Sequence, residues 1–339
     1  MKSQKQKRLP AEWEPQDAVL LCWPHENTDW LPYLAAAENC FLEIAKAVTQ
    51  FENLIIAVHD KTPVQKKLES AGVNLNRVAL YEIPSNDTWA RDFGPITIYE
   101  NGAPAILDFQ FTGWGEKFGA GLDNQITANL CAAGAFGNTP RRETDFILEG
   151  GSIESDGAGT LMTTAACLLN PNRNAQLSKE LIEQKLAAEF GTEKFIWLNH
   201  GALAGDDTDA HIDTLARLCP DNTIVYVQCT DPNDEHFSGL QKMENELKQL
   251  SGFRLLPLPW PAAKFDEEGN RLPATYANFL IINDAVLVPV YNDPNDAAAL
   301  KIIQTAFPDR KIIGIDCSTL ILQHGSLHCV TMQIPKGVL

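Results

Sequence analysis

Apolar residues recur at three- and four-residue spacing over positions 31–50, 62–71, 123–133, 177–190, 236–250 and 295–307, the period that lays a single apolar stripe along an α-helix. In the fourth stretch Ile182, Leu186 and Phe190 make the stripe. Ser178 stands where a helix start needs a capping oxygen, and Gly191 where its end needs a left-handed exit. This spacing predicts an amphipathic helix packed against a partner surface.

Between the helical stretches the apolar runs shorten to strand length and are broken by turn residues. They cover 96–107 around Asn101-Gly102, 147–164 around Asp156-Gly157, 213–228 around Pro220-Asp221-Asn222, and 279–290 around Asn283-Asp284. Each reads as a β-hairpin. Measured at Gly102, Gly157, Asp221 and Asp284, the turns lie 55, 64 and 63 residues apart with a helix between each pair, so a hairpin, helix and strand unit recurs. Four units are visible. A fifth is completed if the run 330–334 pairs with 18–23 from the other end of the chain. The expectation is an α/β fold of one domain, residues 1–339, built as a ring of about five units and closed so that no sheet edge is left bare. An open α/β sheet is the competing architecture.

Composition narrows the partners. The chain has 339 residues, 45% of them hydrophobic, enough for a large core. Its 27 basic and 44 acidic residues give a formal net charge of -17. Such a field opposes nucleic acid and anionic membrane and favours encounter with cations. No apolar run reaches membrane-spanning length, and the basic opening MKSQKQKRLP is not followed by the apolar stretch a signal peptide needs, so a cytoplasmic protein is expected. Eight cysteines, without a C-x-x-C pair, read as reduced and mostly buried thiols, Cys131, Cys167 and Cys229 among them.

Candidate chemistry emerges from phase. Asp92 lies ten residues before its turn, Glu149 eight before the next, and His211 and Asp213 ten and eight before the third. Equivalent units would project all four from one end of the ring. By the same phase Tyr276 either lines that end or is a packed aromatic. On an extended strand His211 and Asp213 would share a face; the alternatives are a solvated acidic loop and a metal site, although no further His or Cys set stands at tetrahedral spacing. No metal and no cofactor are expected. Cys329 follows His324-Gly325-Ser326-Leu327-His328 and is either a nucleophile or a small buried apolar residue. Strand alternation would point His328 away from it, which makes His211 the better catalytic partner. Trp89-Ala90-Arg91-Asp92 and Glu149-Gly150-Gly151-Ser152 combine an aromatic face, carboxylates and close backbone approach, as a cation site requires; an Arg91–Asp92 ion pair and a glycine bulge are the plainer readings.

Taken in order, Trp89-Ala90-Arg91-Asp92, Phe146-Ile147-Leu148-Glu149-Gly150-Gly151-Ser152, Thr208-Asp209-Ala210-His211-Ile212-Asp213 and the terminal Leu327-His328-Cys329-Val330-Thr331 resemble the agmatine deiminase and bacterial peptidyl-arginine deiminase family of the pentein superfamily. With Pro10-Ala11-Glu12-Trp13-Glu14-Pro15 and Cys22-Trp23-Pro24, the resemblance runs over essentially the whole chain. It implies a five-bladed pseudo-symmetric α/β propeller, the pentein fold. It also implies cofactor-free hydrolysis of agmatine to N-carbamoylputrescine and ammonia, a step of polyamine biosynthesis, through a covalent thiouronium. Asp92 and Asp213 would clamp the guanidinium, His211 would be acid and base, Cys329 the nucleophile, and Glu149 and Trp89 would line the substrate pocket. The implied partner is a small guanidinium cation, with no nucleic acid and no membrane; a homo-oligomer is compatible with all of this. Two departures stand out: Ala210 replaces a customary glycine, and His324-Gly325-Ser326-Leu327 replaces a glycine-rich lead into the cysteine. Deimination of arginine in peptides is the alternative activity. A metal-dependent hydrolase, an amidine-transferring enzyme and a non-catalytic guanidinium-binding protein are the other classes to be told apart.

Overall fold

In a computed structural model that describes residues 7–339, each expected hairpin forms at its expected turn. Strands Ile96–Glu100 and Ala103–Gln110 pair antiparallel around Asn101 and Gly102, whose φ angles of 52° and 86° are the left-handed values a two-residue hairpin turn needs. The chain then passes through the helix Ile126–Ala132 and returns as Arg141–Ile147, parallel to the second strand. Three further units repeat this path. The hairpin Ile153–Ser155 and Thr160–Thr164 continues through the helix Lys179–Phe190 to Lys194–Leu198. Ala216–Cys219 and Thr223–Val227 continue through Phe237–Lys248 to Arg254–Leu258. Leu280–Ile282 and Ala285–Val290 continue through Asp296–Ala306 to Lys311–Asp316.

The chain ends complete the last unit. Thr331–Pro335 pairs antiparallel with Gln16–Cys22, which leads through the helix Leu34–Val48 to the parallel strand Asn53–Val58 and through Lys61–Ser70 to Val78–Glu82. Among the described residues this makes five sheets of three or four strands, with one two-stranded ribbon, Lys264–Phe265 and Arg271–Leu272, outside the pattern.

Local chemistry explains the boundaries. The Ser178 side chain accepts a hydrogen bond from the Leu181 N–H, Gly191 closes the helix at φ 66°, and Ile182, Leu186 and Phe190 are its buried residues. Helices cover the sheets, so central strands such as Thr223–Val227 are buried along their whole length and read as continuous apolar runs instead of alternating ones. The first long helix begins at Leu34; residues Leu31–Tyr33, which include Pro32, form a 3-10 turn before it.

Two expectations need correction, for the 211–213 segment and for Cys131, and the open choice at Tyr276 is decided. His211 and Asp213 do not lie on a strand: Ile212–Thr214 is a 3-10 turn, because the left-handed backbone of Asp209 and Ala210 (φ 66° at each) turns the chain just before it. Tyr276 is fully buried, its hydroxyl donating to Asp296 Oδ1 at 2.8 Å, so it is the packed aromatic. Cys131 is half-exposed, whereas the other seven cysteines are buried; all eight are unpaired. No helix of the described residues is long and apolar enough to cross a membrane.

Candidate active site

The first strand of each of the four hairpins, and Thr331–Pro335 in the unit closed by the chain ends, is preceded by a short non-strand segment, and each segment delivers one or two polar side chains to a common buried point. Asp92 sits in the single helical turn Ala90–Phe93. Glu149 stands just before the turn Gly150–Ser152, and His211 and Asp213 flank Ile212. Asn278 comes two residues before Leu280–Ile282, and Cys329 two before Thr331–Pro335. Pseudo-equivalent position in the repeat is thus what brings residues 92 to 329 together.

The convergence can be located at Gly151. A Cβ there would stand 2.7 Å from His211 Nδ1, 2.9 Å from Asp92 Oδ1 and 3.0 Å from Asp213 Oδ2, so these three groups meet where only glycine fits. The Gly151 N–H donates to Asp92 Oδ1 at 2.9 Å, and Trp114 Nε1–H donates to Asp92 Oδ2 at 3.0 Å. His211 Nδ1 lies 3.6 Å from Asp92 Oδ1, and its Nε2 lies 3.9 Å from Glu149 Oε2. Both oxygens of Glu149 accept from Arg173 Nε at 3.0 Å. The Cys329 thiol points at Asn278 Oδ1, 3.3 Å away, with Asp213 Oδ2 at 3.9 Å. Asn278 Oδ1 also accepts from the backbone N–H groups of His328 (2.9 Å) and Cys329 (3.3 Å), which sets the cysteine's turn. Three polar atoms, His211 Nδ1, His211 Nε2 and Asp213 Oδ1, are buried without a protein hydrogen bond. Unmet buried polar atoms are costly, and these three, with Asn278 Nδ2, belong to residues of the meeting point.

Burial and mutual charge set the ionisation. Asp92 is pushed up to about 6, first by burial, then by Asp213 and Glu149, against the pull of His211 and Trp114. Burial disfavours a charged His211, but Asp92, Cys167 and Glu149 outweigh it and hold the imidazole well above its usual value. Asp213 lies below the usual carboxylate range because the His328 hydrogen bond, with His211 and Arg217, outweighs burial. Burial and the carboxylates of Asp213 and Asp92 push the Cys329 thiol well up.

A cleft with an empty volume of about 710 Å³ reaches this point from the surface. Asp92 and Cys329 form part of its lining, Trp89, Trp114 and Phe118 its aromatic walls, and Asp29, Asp87, Asp206 and Asp207 further carboxylates; among the described residues no Lys or Arg lines it. Trp89 packs against Trp30 with ring centroids 5.8 Å apart, and its ring rests on Gly325, where a Cβ would meet it at 2.1 Å. That contact explains one glycine of the lead into the cysteine. His324, beside it, takes a left-handed φ of 66° and directs Nδ1 to the Gly205 carbonyl at 2.7 Å.

The structure therefore gathers Asp92, Glu149, His211, Asp213 and Cys329, with Trp89 in the wall. Arg91 does not pair with Asp92; it turns away to Glu12 at 3.0 Å. Asn278, Trp114 and Arg173 were missed. The eight- and ten-residue phase selected Tyr276 in this unit and not Asn278, which lies six before its turn, and Trp114 and Arg173 lie in connections where phase carries no signal. Among the described residues two clusters bring three donor atoms within 4.8 Å of one another, one of Glu149, Cys167 and His211 and one of Glu12, Glu154 and His328. Sequence spacing gave no hint of either. In each, guanidinium groups already bond the carboxylates, Arg173 in the first and Arg91 and Arg217 in the second, so the positive charge is supplied by the chain.

The sequence profile of the Porphyromonas-type peptidyl-arginine deiminase family matches residues 8–335. A Vibrio parahaemolyticus protein bearing the name "Putative agmatine deiminase" is 35% identical, over 96% of this chain and 96% of its own. The C. Jejuni agmatine deiminase, solved as a cysteine-to-serine variant with substrate bound, is 42% identical with a TM-score of 0.92, covering 98% of this chain and 97% of that one. A Porphyromonas gingivalis structure titled as a "Putative Arginine Deiminase" is 51% identical with a TM-score of 0.93, covering 98% and 99%.

Proposed function

This chain belongs to the Porphyromonas-type peptidyl-arginine deiminase family and is an enzyme of the agmatine deiminase type, and from that premise we propose that it hydrolyses agmatine to N-carbamoylputrescine and ammonia. The coarser activity, hydrolytic deimination of a guanidino group, is common to the deiminases it resembles. The choice of agmatine rests on the lining of the cleft. Five aspartates and no Lys or Arg suit a substrate that is cationic at both ends, whereas the carboxylate of free arginine would meet repulsion.

In this reading Asp92 and Asp213 hold the guanidinium nitrogens, a group that stays protonated with a pKa above about 12. Cys329 Sγ attacks the central carbon and forms a C–S bond. His211 gives its proton to a substrate nitrogen, which leaves as ammonia, and a thiouronium remains on Cys329. Water then loses one proton to His211 and attacks the same carbon; the C–S bond breaks, the sulfur recovers its electron pair and takes up the remaining hydroxyl proton, replacing the thiol proton lost to solvent when the guanidinium arrived, and the ureido product departs. Glu149, tied to Arg173 and close to His211 Nε2, orients the imidazole and favours its protonated form. Trp89 supplies an aromatic wall for the chain of methylenes. A thiol burdened by two carboxylates needs a compensating cation, and the protonated His211 and the arriving guanidinium provide it.

We also read the five units as blades of a closed propeller in one catalytic domain, with the pairing of the two chain ends as supporting observation. Eight unpaired thiols suit a reducing compartment such as the cytoplasm. The test is ammonia release from agmatine, arginine and an arginine-containing peptide, beside the Cys329→Ala variant. Release from agmatine alone, lost in the variant and unaffected by chelator, is expected; release only from the peptide would replace agmatine with peptidyl-arginine as substrate.

A further inference from the structure

Behind the nucleophile a chain of hydrogen bonds ends on an acid from the other end of the sequence. His328 is fully buried, and its Nδ1 lies 2.7 Å from Asp213 Oδ2. Its Nε2 faces Glu12 Oε1 at 2.9 Å and an Arg217 nitrogen at 3.0 Å. Glu12 is fixed in turn by Arg91 (3.0 Å), Arg217 (2.5 Å) and Gln333 (3.0 Å). Arg217 is anchored by Glu154 and by the carbonyls of Ala277 (3.0 Å) and Phe279 (2.6 Å). The His328 ring therefore has no freedom to turn from Asp213.

We propose that His328 is a positioning residue: its Nδ1–H, with the ring held from behind by Glu12 and Arg217, fixes Asp213 as an ionised carboxylate whose unpartnered Oδ1 faces the substrate guanidinium. The inference rests on the deimination reading above and adds to it a residue that touches neither substrate nor the reacting sulfur.

The two oxygens of Asp213 carry the argument. Oδ2 takes the bond from His328, whereas Oδ1 is buried and accepts nothing from the protein. Carboxylates face both ring nitrogens, Asp213 at Nδ1 and Glu12 at Nε2, but only Nε2 also meets a guanidinium nitrogen, of Arg217, which can only donate; this favours a proton on Nδ1 and an accepting Nε2. The other groups acting on Asp213 pull in both directions: His211 and Arg217 favour its charge, while Asp92 and a Cys329 thiolate oppose it. Removing the His328 donor leaves a buried carboxylate short of one bond and free to rotate, which weakens a bidentate clamp in both charge and direction. The ring's polar contacts are to Asp213 at Nδ1 and to Glu12 and Arg217 at Nε2, so a replacement that keeps only one of the two nitrogen positions separates them.

Two amide replacements separate these effects, because an Asn nitrogen falls near the position of Nδ1 and a Gln nitrogen near that of Nε2. In His328→Gln the midpoint at which the Asp213 carboxyl takes up a proton, followed by its carbon NMR signal and assigned with Asp213→Asn, should rise. KM for agmatine should increase by about tenfold or more. His328→Asn should restore both toward wild type. Equal behaviour of the two variants, or an Asp213 midpoint unchanged in His328→Gln, overturns the proposal. Should either variant fail to fold, nitrogen NMR of wild-type histidines decides: a proton resident on His328 Nδ1 is expected, and an unprotonated Nδ1 overturns the assignment. Absence of turnover in the wild type with the carboxyl titration as expected would instead count against the agmatine reading and leave the positioning role standing.

Discussion

His211 Nδ1 stands 3.6 Å from Asp92 Oδ1, close enough for each to set the other's charge and too far for a hydrogen bond. Both ring nitrogens of His211 lack a protein hydrogen bond, while Asp92 accepts from Gly151 and Trp114.

The ionisation of Asp92 should govern the acid side of the pH profile. Its carboxyl sits at about 6, above the ordinary value, and only the ionised form can hold a guanidinium. Activity is thus present above that value and lost as pH falls through it. Trp114→Phe removes the N–H that favours the carboxylate, so the midpoint should move up by roughly one unit. A profile of kcat/KM against pH for both proteins checks it; a midpoint moved downward would contradict the assigned hydrogen bond.

The thiol of Cys329 should be neutral in the free enzyme and ionise on binding. Burial, Asp213 and Asp92 push it well up, and a bound guanidinium neutralises the two carboxylates. Thiolate absorbance, taken as the difference between wild type and Cys329→Ala, should appear at lower pH when a guanidinium ligand is present. An identical titration with and without ligand sinks this account of activation.

Gly151→Ala should abolish most activity while leaving the protein folded. The new methyl would press on His211, Asp92 and Asp213 together, and displacements on the order of 1 Å at reacting groups cost about a hundredfold in rate. Rates measured beside a thermal melt distinguish the two effects; wild-type turnover in the variant would show that the three groups need not converge.

Ala210→Gly should stabilise. Ala210 holds a φ of 66°, a left-handed conformation that costs a residue with a Cβ about 1–2 kcal/mol, against about 0.5–1 kcal/mol of extra unfolded-state entropy for glycine. The balance is a gain of about 0–1.5 kcal/mol, centred near roughly 0.75, seen as a melting temperature raised by roughly one degree. A lower melting temperature would show instead that packing of the Ala210 methyl, which is 3% exposed, outweighs the backbone strain.

What the sequence determined by itself was the repeating unit. Turn residues with left-handed tolerance, helical stripes and capping residues act over a few positions, so the hairpins at Gly102, Gly157, Asp221 and Asp284 and the helix Lys179–Phe190 were legible from local chemistry. Phase within the repeat also marked Asp92, Glu149, His211 and Asp213, because equivalent positions in equivalent units point to one place. Tertiary structure alone decided the contacts between units. It turned Arg91 toward Glu12 instead of Asp92, put His211 and Asp213 on a 3-10 turn, gave Asn278 to the thiol, and linked His328 to Asp213 and to Glu12, 316 positions away. The physical reason is range: turns and caps are satisfied by neighbours in sequence, whereas a buried charge must find its partner across the fold, and nothing in the local pattern says which of 44 acidic residues that will be.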